Sequence, residues 1–440
     1  MKIFKIPIIR IALFFTIFFL LNDIFIFILK PYSKQREEMT KKYWASETVD
    51  LCFLGSSVVY HAFNPYKFAP LAPEDIFDLS TPSQSLKEAY ELLEMASAKH
   101  RIKTVCMGYT YDGLKQDSYD PKHIMDRVRE NVNFLPLHKK IYAMLSFIIK
   151  KKTYSSTNSV TFICPWVFNH TSLYPSRIIK NVKSKITGNF EHRNVKYLGK
   201  AWSTNVQADY NKPARFSKDY SIGEFLDSSL AEMDKICRLC KEKNIDLVVF
   251  AAPYTVYDVL AWKDEYVEKM KQLKSFFAER NVDYYDFNFI KPEIFEAKEQ
   301  YFRDFQHMNS AGADAFSPAL ANFLSLRAAG KDMEQYFYTP EEFFSSIDYI
   351  SAVNFSVLNQ DDVLKMSAEA YCGTSVVPEY QFLIKKSDES SFSVIKDFGN
   401  ENEFSFKPKS GGTYTVRVNA RKSGNNTEFD RYNEKTVVFK

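Results

Sequence analysis

Hydrophobic and polar positions follow one another along the chain in four textures. The first is an unbroken apolar run, "IALFFTIFFLLNDIFIFIL" (Ile11 to Leu29), bounded by Arg10 and Lys30 and interrupted only by Asn22 and Asp23. A helix of this length crosses a hydrocarbon core of about 30 Å. The run is longer than the ~7–15 residues of a removable signal sequence, and no small-residue cleavage site follows it. Residues 1–30 therefore read as an uncleaved, single-pass membrane anchor, followed by a charged juxtamembrane linker over 31–47.

In the second texture, short strand-like runs alternate with helical spacing. "VDLCFLG", "DIFDLS", "KTVCMGYTY", "DLVVFAAP" and "VDYYDFN" read as strands. "SQSLKEAYELLEMASAKH", "IGEFLDSSLAEMDKICRLCKEKN", "VEKMKQLKSFFAERN" and "NSAGADAFSPALANFLSLRAAG" place apolar residues three and four apart, as helices do. This alternation predicts crossover units and a parallel sheet covered on both faces, a three-layer α/β/α domain over 48–330. An insertion at about 114–220 breaks the pattern. It starts with a helical stretch, "HIMDRVRENVNFLPLHKKIYAMLSFIIKKK", and continues through the irregular, aromatic "WVFNHTSLYPSR". Insertions of this kind sit over a sheet edge, where binding loops are found. The aromatic stretch reads either as pocket lining or as ordinary surface packing.

The third texture is a bridging segment over 331–348. The fourth, 349–440, alternates β-branched and aromatic with polar positions in "EYQFLIKK", "SFSVIKDF", "NEFSFKP" and "GTYTVRVNARK", with turn signals such as "KSDESS" and "KSGG" between them. That is the pattern of a small all-β sandwich.

Composition narrows the function. The 440 residues carry a net charge of +4 with no clustered basic face, which argues against a nucleic-acid partner. Six cysteines are scattered, and Cys237 and Cys240 form one helical turn with no second pair to complete a zinc site. No metal or organic cofactor is called for. Basic residues flank the anchor on both sides: Lys2, Lys5 and Arg10 before it, and Lys30, Lys34, Arg36, Lys41 and Lys42 after it. On this count the positive-inside rule points against an external C-terminal domain.

The candidate chemistry lies at the ends of the α/β domain. The first strand delivers Gly55-Ser56-Ser57, and "YFRDFQHMNSAGADAFS" holds Asp304 and His307 just before the closing helix. A serine hydroxyl needs a base within hydrogen-bond reach, and the base needs an orienting carboxylate. Both segments belong at the C-terminal edge of the sheet, where open α/β folds bind ligands. Ser57, His307 and Asp304 therefore form a candidate triad. Asn309 or Ser310 is expected to cap the closing helix. Of the neighbours, His61 reads as pocket lining or as a partly buried loop histidine. Arg303 could hold an anionic substrate or pair with a carboxylate.

These residues resemble the SGNH, or GDSL-like, hydrolase superfamily over roughly Thr48 to Leu326. The resemblance places the nucleophile on Ser57 and puts Ser56 where most members carry aspartate. It matches the D-x-x-H block to Asp304 and His307, and implies oxyanion-hole amides at Ser57 and Ser83. The usual asparagine after the third strand is replaced within "MGYTYDGL", where Thr110 or Tyr111 is the candidate donor. The anchor and "LGSS" resemble the membrane-anchored, DltD-type branch. That branch implies an extracytoplasmic serine esterase or O-acyltransferase acting on acylated cell-envelope polysaccharide or polymer, beside a membrane-bound O-acyltransferase. The competing reading is a catalytically inactive envelope scaffold or glycan-binding protein. The C-terminal strands resemble the three-tyrosine β-sandwich module.

Overall fold

The computed structural model describes residues 5–30, 47–71, 75–81, 84–115, 164–167, 170–187, 195–198, 201–204, 206–211, 222–360, 362–425 and 427–439. The helix expected between residues 123 and 152, most of the juxtamembrane linker, and Ser83 lie outside them.

Helix α1 (Lys5–Leu29) is the apolar N-terminal segment. Its stretch Pro7–Leu29 is long and apolar enough to cross a membrane, and only 6% of its most apolar window is buried. The α/β domain then runs β1 (Thr48–Gly55), α2 (Ser57–Ala62), β2 (Ile76–Asp78), α3 (Leu86–Lys99) and β3 (Arg101–Gly108). The insertion contributes α4 (Pro175–Thr187) and a hairpin of β4 (Val195–Leu198) and β5 (Ala201–Thr204). The domain resumes with α5 (Asp227–Lys243), β6 (Asp246–Ala251), α6 (Val256–Ala261), α7 (Lys263–Ala278), β7 (Asp283–Asp286) and α8 (Ser310–Ala328).

The five strands are parallel, in the order β2-β1-β3-β6-β7. Five consecutive residues of β1, Leu51 to Gly55, are buried. A strand with no exposed alternate position has both faces covered, so the sheet is the middle of three layers. Helices α3 and α5 pack side by side, and α2 packs on α8. Local chemistry sets the helix ends. Ser85 and Glu88 form a reciprocal capping box at the start of α3. Asn244, in the left-handed region at φ +54, closes α5.

The bridging segment is more integrated than its sequence implies. It forms α9 (Pro340–Ser346), capped by Thr339, and its Phe343, Phe344 and Ile347 are buried in the α/β core. Beyond it come β8 (Ile350–Gln360), β9 (Val363–Cys372), β10 (Pro378–Lys386), β11 (Ser393–Gly399), β12 (Glu403–Phe406), β13 (Gly412–Lys422) and β14 (Arg431–Phe439). They make two antiparallel sheets, β11-β10-β13-β14 and β12-β9-β8, around a core that includes Val353, Phe355, Phe382, Val416 and Val418. This module is fastened to the α/β domain: Arg431 pairs with Glu299, and Tyr432 N donates to Asn211 Oδ1 at 3.2 Å.

Of the stretch "WVFNHTSLYPSR", Trp166 packs on the N-terminal helix. Trp166 Nε1 donates to Asn22 Oδ1 of α1 at 2.9 Å, and its ring packs 4.7 Å from Phe25. The membrane-type helix recruits this segment because it carries a polar side chain that needs a partner.

Candidate active site

The turn from β1 into α2 is built around Gly55, whose φ is +145. A Cβ at this position would lie 2.1 Å from Gly108 O and 2.6 Å from Val59 Cγ2. Glycine is what lets the chain turn this close to β3. Both polar groups of Gly55 are held. Its N–H donates to Gln84 Oε1 at 2.9 Å, and its carbonyl accepts from Thr81 N at 3.1 Å. Gln84 is itself fixed, donating to Leu79 O at 2.7 Å and to Thr81 Oγ1 at 3.1 Å. Half-buried Ser57 follows as the first residue of α2, where a backbone N–H has no partner inside its own helix.

The opposing loop is a small closed turn. Phe302 bridges Met308, and Arg303 N donates to His307 O at 2.9 Å. Asn309 caps α8 by accepting from Gly312 N at 3.0 Å, and its amide holds Gln300 O at 2.6 Å. From the β6 side, Thr255 donates through both N and Oγ1 to Phe305 O, each at 3.0 Å. Asp304 Oδ1 accepts from Gln306 N at 3.1 Å and His307 N at 2.9 Å. His307 Nδ1 lies 2.9 and 3.1 Å from the two Asp304 oxygens, and its Nε2 lies 2.8 Å from Ser57 Oγ. With the carboxylate taking Nδ1–H, Nε2 is left to accept the Ser57 hydroxyl proton. The two halves are also tied away from the chemistry. Asn64 N donates to Ser317 Oγ at 2.6 Å, and Asn64 Nδ2 donates to Asp314 Oδ1 at 2.7 Å, linking the end of α2 to α8.

Charge in the site is arranged to keep Asp304 ionised. Its partial burial favours the neutral acid, but the hydrogen bonds and charge of His307 and the amides of His307 and Gln306 outweigh it, so its pKa falls below the usual carboxylate value. Arg303 Nε stands 3.5 Å from Asp304 Oδ2, so of its two sequence readings the carboxylate pair is the one formed. His61 lies one helical turn beyond Ser57 and is buried, with its ring 5.3 Å from the His307 ring and at 76° to it. Burial first, then the neighbouring charges of His307 and Arg303, push its pKa down to about 3 despite Asp304. His61 is thus a neutral wall holding the His307 ring rather than a second base.

The remaining expected residues separate. Ser56 occupies the N-cap position of α2 with no side-chain cap bond, and its carbonyl accepts from Val59 N and Tyr60 N. Thr110 lies two residues past the end of β3, the strand beside β1, and its hydroxyl accepts from Gly113 N at 3.2 Å. The Tyr111 hydroxyl is engaged by other residues. Its ring is buried and its hydroxyl bonds Asp286 and Tyr284, in a polar knot joined by Tyr266 and Asn288. Burial pushes the Asp286 carboxyl up despite these bonds, and it pushes the Tyr111 phenol far up. A tyrosine three residues past the strand end at Gly108 turns back into the core because this buried carboxyl needs donors. Sequence reading also missed Gln84, Asn64 and Thr255. Only Gln84 leaves a visible signal, a lone amide directly before the capping box at Ser85.

No protein-family model matches the chain, and no curated protein does. Among solved structures it is similar to a GDSL-like lipase from Bacteroides thetaiotaomicron, at 9% identity and TM-score 0.32, covering 67% of this chain and 98% of that one. It is also similar to a Bacteroides fragilis protein provisionally described as an acylhydrolase, at 8% identity and TM-score 0.32, covering 68% and 98%. At that identity and superposition the likeness assigns no activity, so the activity has to be argued from the site itself.

Proposed function

We propose that this chain is a membrane-anchored serine esterase or O-acyltransferase acting on an acylated envelope polysaccharide or polymer. The observation that carries the chemistry is the Ser57–His307–Asp304 chain of hydrogen bonds, with Ser57 Oγ 2.8 Å from His307 Nε2. Ser57 Oγ attacks the acyl carbonyl carbon while His307 Nε2 takes its proton. Asp304 holds Nδ1–H and stabilises the imidazolium. The tetrahedral oxyanion is received by the Ser57 amide, with Ser83 and Thr110 as the further donors. Collapse breaks the ester C–O bond, His307 returns the proton to the leaving alcohol, and the acyl group remains on Ser57. A second hydroxyl, from water in an esterase or from a glycan in a transferase, gives its proton to His307 and takes the acyl group as the Ser57 Oγ–acyl bond breaks, and His307 returns that proton to Ser57 Oγ. The resemblance to anchored relatives supplies the substrate class, the extracytoplasmic side and a membrane-bound O-acyltransferase as partner.

The rival reading, an inactive envelope scaffold or glycan binder, predicts no serine reactivity. A fluorophosphonate probe on the full chain in detergent separates the two. Wild type and Ser56→Ala are expected to label and Ser57→Ala is not. Failure of wild type to label, or retained labelling in Ser57→Ala, refutes the assignment.

A further inference from the structure

Helix α4 presents an apolar face that the described chain covers only in part: Ile178 and Val182 are half-buried, Ile179 and Ile186 exposed. Its 13 residues, "PSRIIKNVKSKIT", place Ile178, Ile179, Val182 and Ile186 on one side, with Ile179 66% and Ile186 72% exposed. An exposed apolar stripe on a helix this polar marks a contact with something else. Its position narrows what that is. Asn181 Nδ2 donates to Ile28 O at 2.9 Å and Lys30 O at 3.0 Å. Lys185 Nζ donates to Ile26 O at 3.1 Å and also to Phe27 O, while Thr171 N reaches Leu29 O at 2.8 Å. The Phe27, Ile28 and Leu29 carbonyls, left open at the C-terminus of α1, are thus held by the insertion. A helix docked on the last turn of a membrane-crossing segment lies, by that geometry, at the membrane boundary.

The apolar face of α4 opens onto the exposed side of α1. Between them runs a groove of about 890 Å³ walled by Ile24 and Phe27 on one side and Ile179 and Ile186 on the other, with Asp23 and Lys183 as its charged lining groups. Residues 170–187 hold Arg177, Lys180, Lys183 and Lys185 and no acidic residue. High amphipathicity, basic charge and modest overall hydrophobicity are the marks of a helix lying in a lipid interface.

We propose that α4 is an interfacial helix. Its isoleucine face, with Leu173 and Tyr174, enters the acyl boundary of the phospholipid leaflet from which α1 emerges, and Arg177, Lys180 and Lys183 reach the lipid phosphates while Lys185 stays on the α1 carbonyls. This rests on the reading of α1 as a membrane anchor. Together the two helices make a two-point attachment, so the α/β domain is held at a set height and tilt over the leaflet instead of swinging on a tether.

The test uses the full chain in phosphatidylcholine–phosphatidylglycerol vesicles. Cys164 and Cys372 are replaced by serine, since the other four cysteines are buried. A fluorescent label is placed on Leu13→Cys, Lys180→Cys or Ile186→Cys, and quenching by nitroxide-labelled lipid is read. The label at Ile186→Cys is expected to be quenched nearly as strongly as that at Leu13→Cys and several-fold more than that at Lys180→Cys. Strong quenching at Leu13→Cys with none at Ile186→Cys overturns the interfacial helix and leaves the anchor standing. A blue-shifted but unquenched label at Ile186→Cys means that protein covers the face, and overturns it as well. Absence of quenching at Leu13→Cys removes the anchor and the proposal together.

Discussion

Replacing Gly55 with alanine tests the link between backbone geometry and the site. The new Cβ would sit 2.1 Å from Gly108 O, a main-chain atom fixed within the β1–β3 pairing, and 2.6 Å from Val59 Cγ2, on the helix that begins with Ser57. Restoring an ordinary C···O contact of about 3.3 Å needs about 1 Å of movement. The sheet is held on both sides, so α2 is the element that moves. The positive φ adds roughly 1–3 kcal/mol of backbone strain, and the overpacking adds about 1–3 kcal/mol more. At about 2–4 °C per kcal/mol for a domain of this size, the melting temperature should drop by roughly 5–20 °C. Moving Ser57 Oγ by ~1 Å should slow its reaction by about 10²-fold. Gly108→Ala is the control. Its Cβ would meet only side-chain atoms, Val59 Cγ2 at 2.5 Å and Phe250 Cζ at 3.1 Å, and its φ is not positive. It should cost about 1–3 kcal/mol, since side chains can yield. The assays are thermal unfolding and the rate of fluorophosphonate labelling. If Gly55→Ala melts no lower than Gly108→Ala and labels at the wild-type rate, the reasoning about this turn is wrong.

Two further variants follow from the same geometry. Asp304→Asn keeps the shape of the loop but cannot hold Nδ1–H as the carboxylate does, so labelling and ester cleavage should fall by about 10³–10⁴. It should also flatten the acid limb of stability. The folded pKa of Asp304 is depressed, so its contribution is present above the ordinary carboxylate pKa and is lost as pH falls through the folded value; equal acid sensitivity of the two proteins in pH-dependent melting would refute this. Gln84→Ala leaves the buried Gly55 N–H without its acceptor, at about 1–3 kcal/mol, and should lower the rate of serine acylation in stopped-flow labelling more than it weakens substrate binding.

The layers of the fold were legible in the sequence because they are written locally. A strand buried on both faces is a continuous apolar run, as in "VDLCFLG", and an amphipathic helix repeats every three or four residues, as in α3. Ser57, Asp304 and His307 were legible too, since a strand end and a D-x-x-H turn are both short patterns. Contacts without periodicity were not. Asn64 meets Asp314 across 250 positions, and nothing near either residue announces it. Tyr111 looked available because it follows a strand; the buried Asp286 that claims its hydroxyl lies 175 positions away. The segment 331–348 resembled a linker because Phe343 and Phe344 are adjacent aromatics in a polar setting, and their burial depends on surfaces made elsewhere.

The same long-range ties set the geometry of the candidate site. Ser57 and His307 come from segments 250 positions apart, so their 2.8 Å approach is set by whatever holds α2 against α8. Three fastenings do so. Gln84 and Thr81 grip both polar groups of Gly55, which fixes where α2 starts. Asn64 bonds Asp314 and Ser317, which fixes where α2 ends against α8. Thr255 grips Phe305 O, which fixes the loop carrying Asp304 and His307 relative to β6. The Ser56 side chain takes part in none of these bonds, and its backbone carbonyl is what closes the first turn of α2. The triad geometry therefore belongs to the scaffold around the motif, and a change of side chain at position 56 leaves all three fastenings in place.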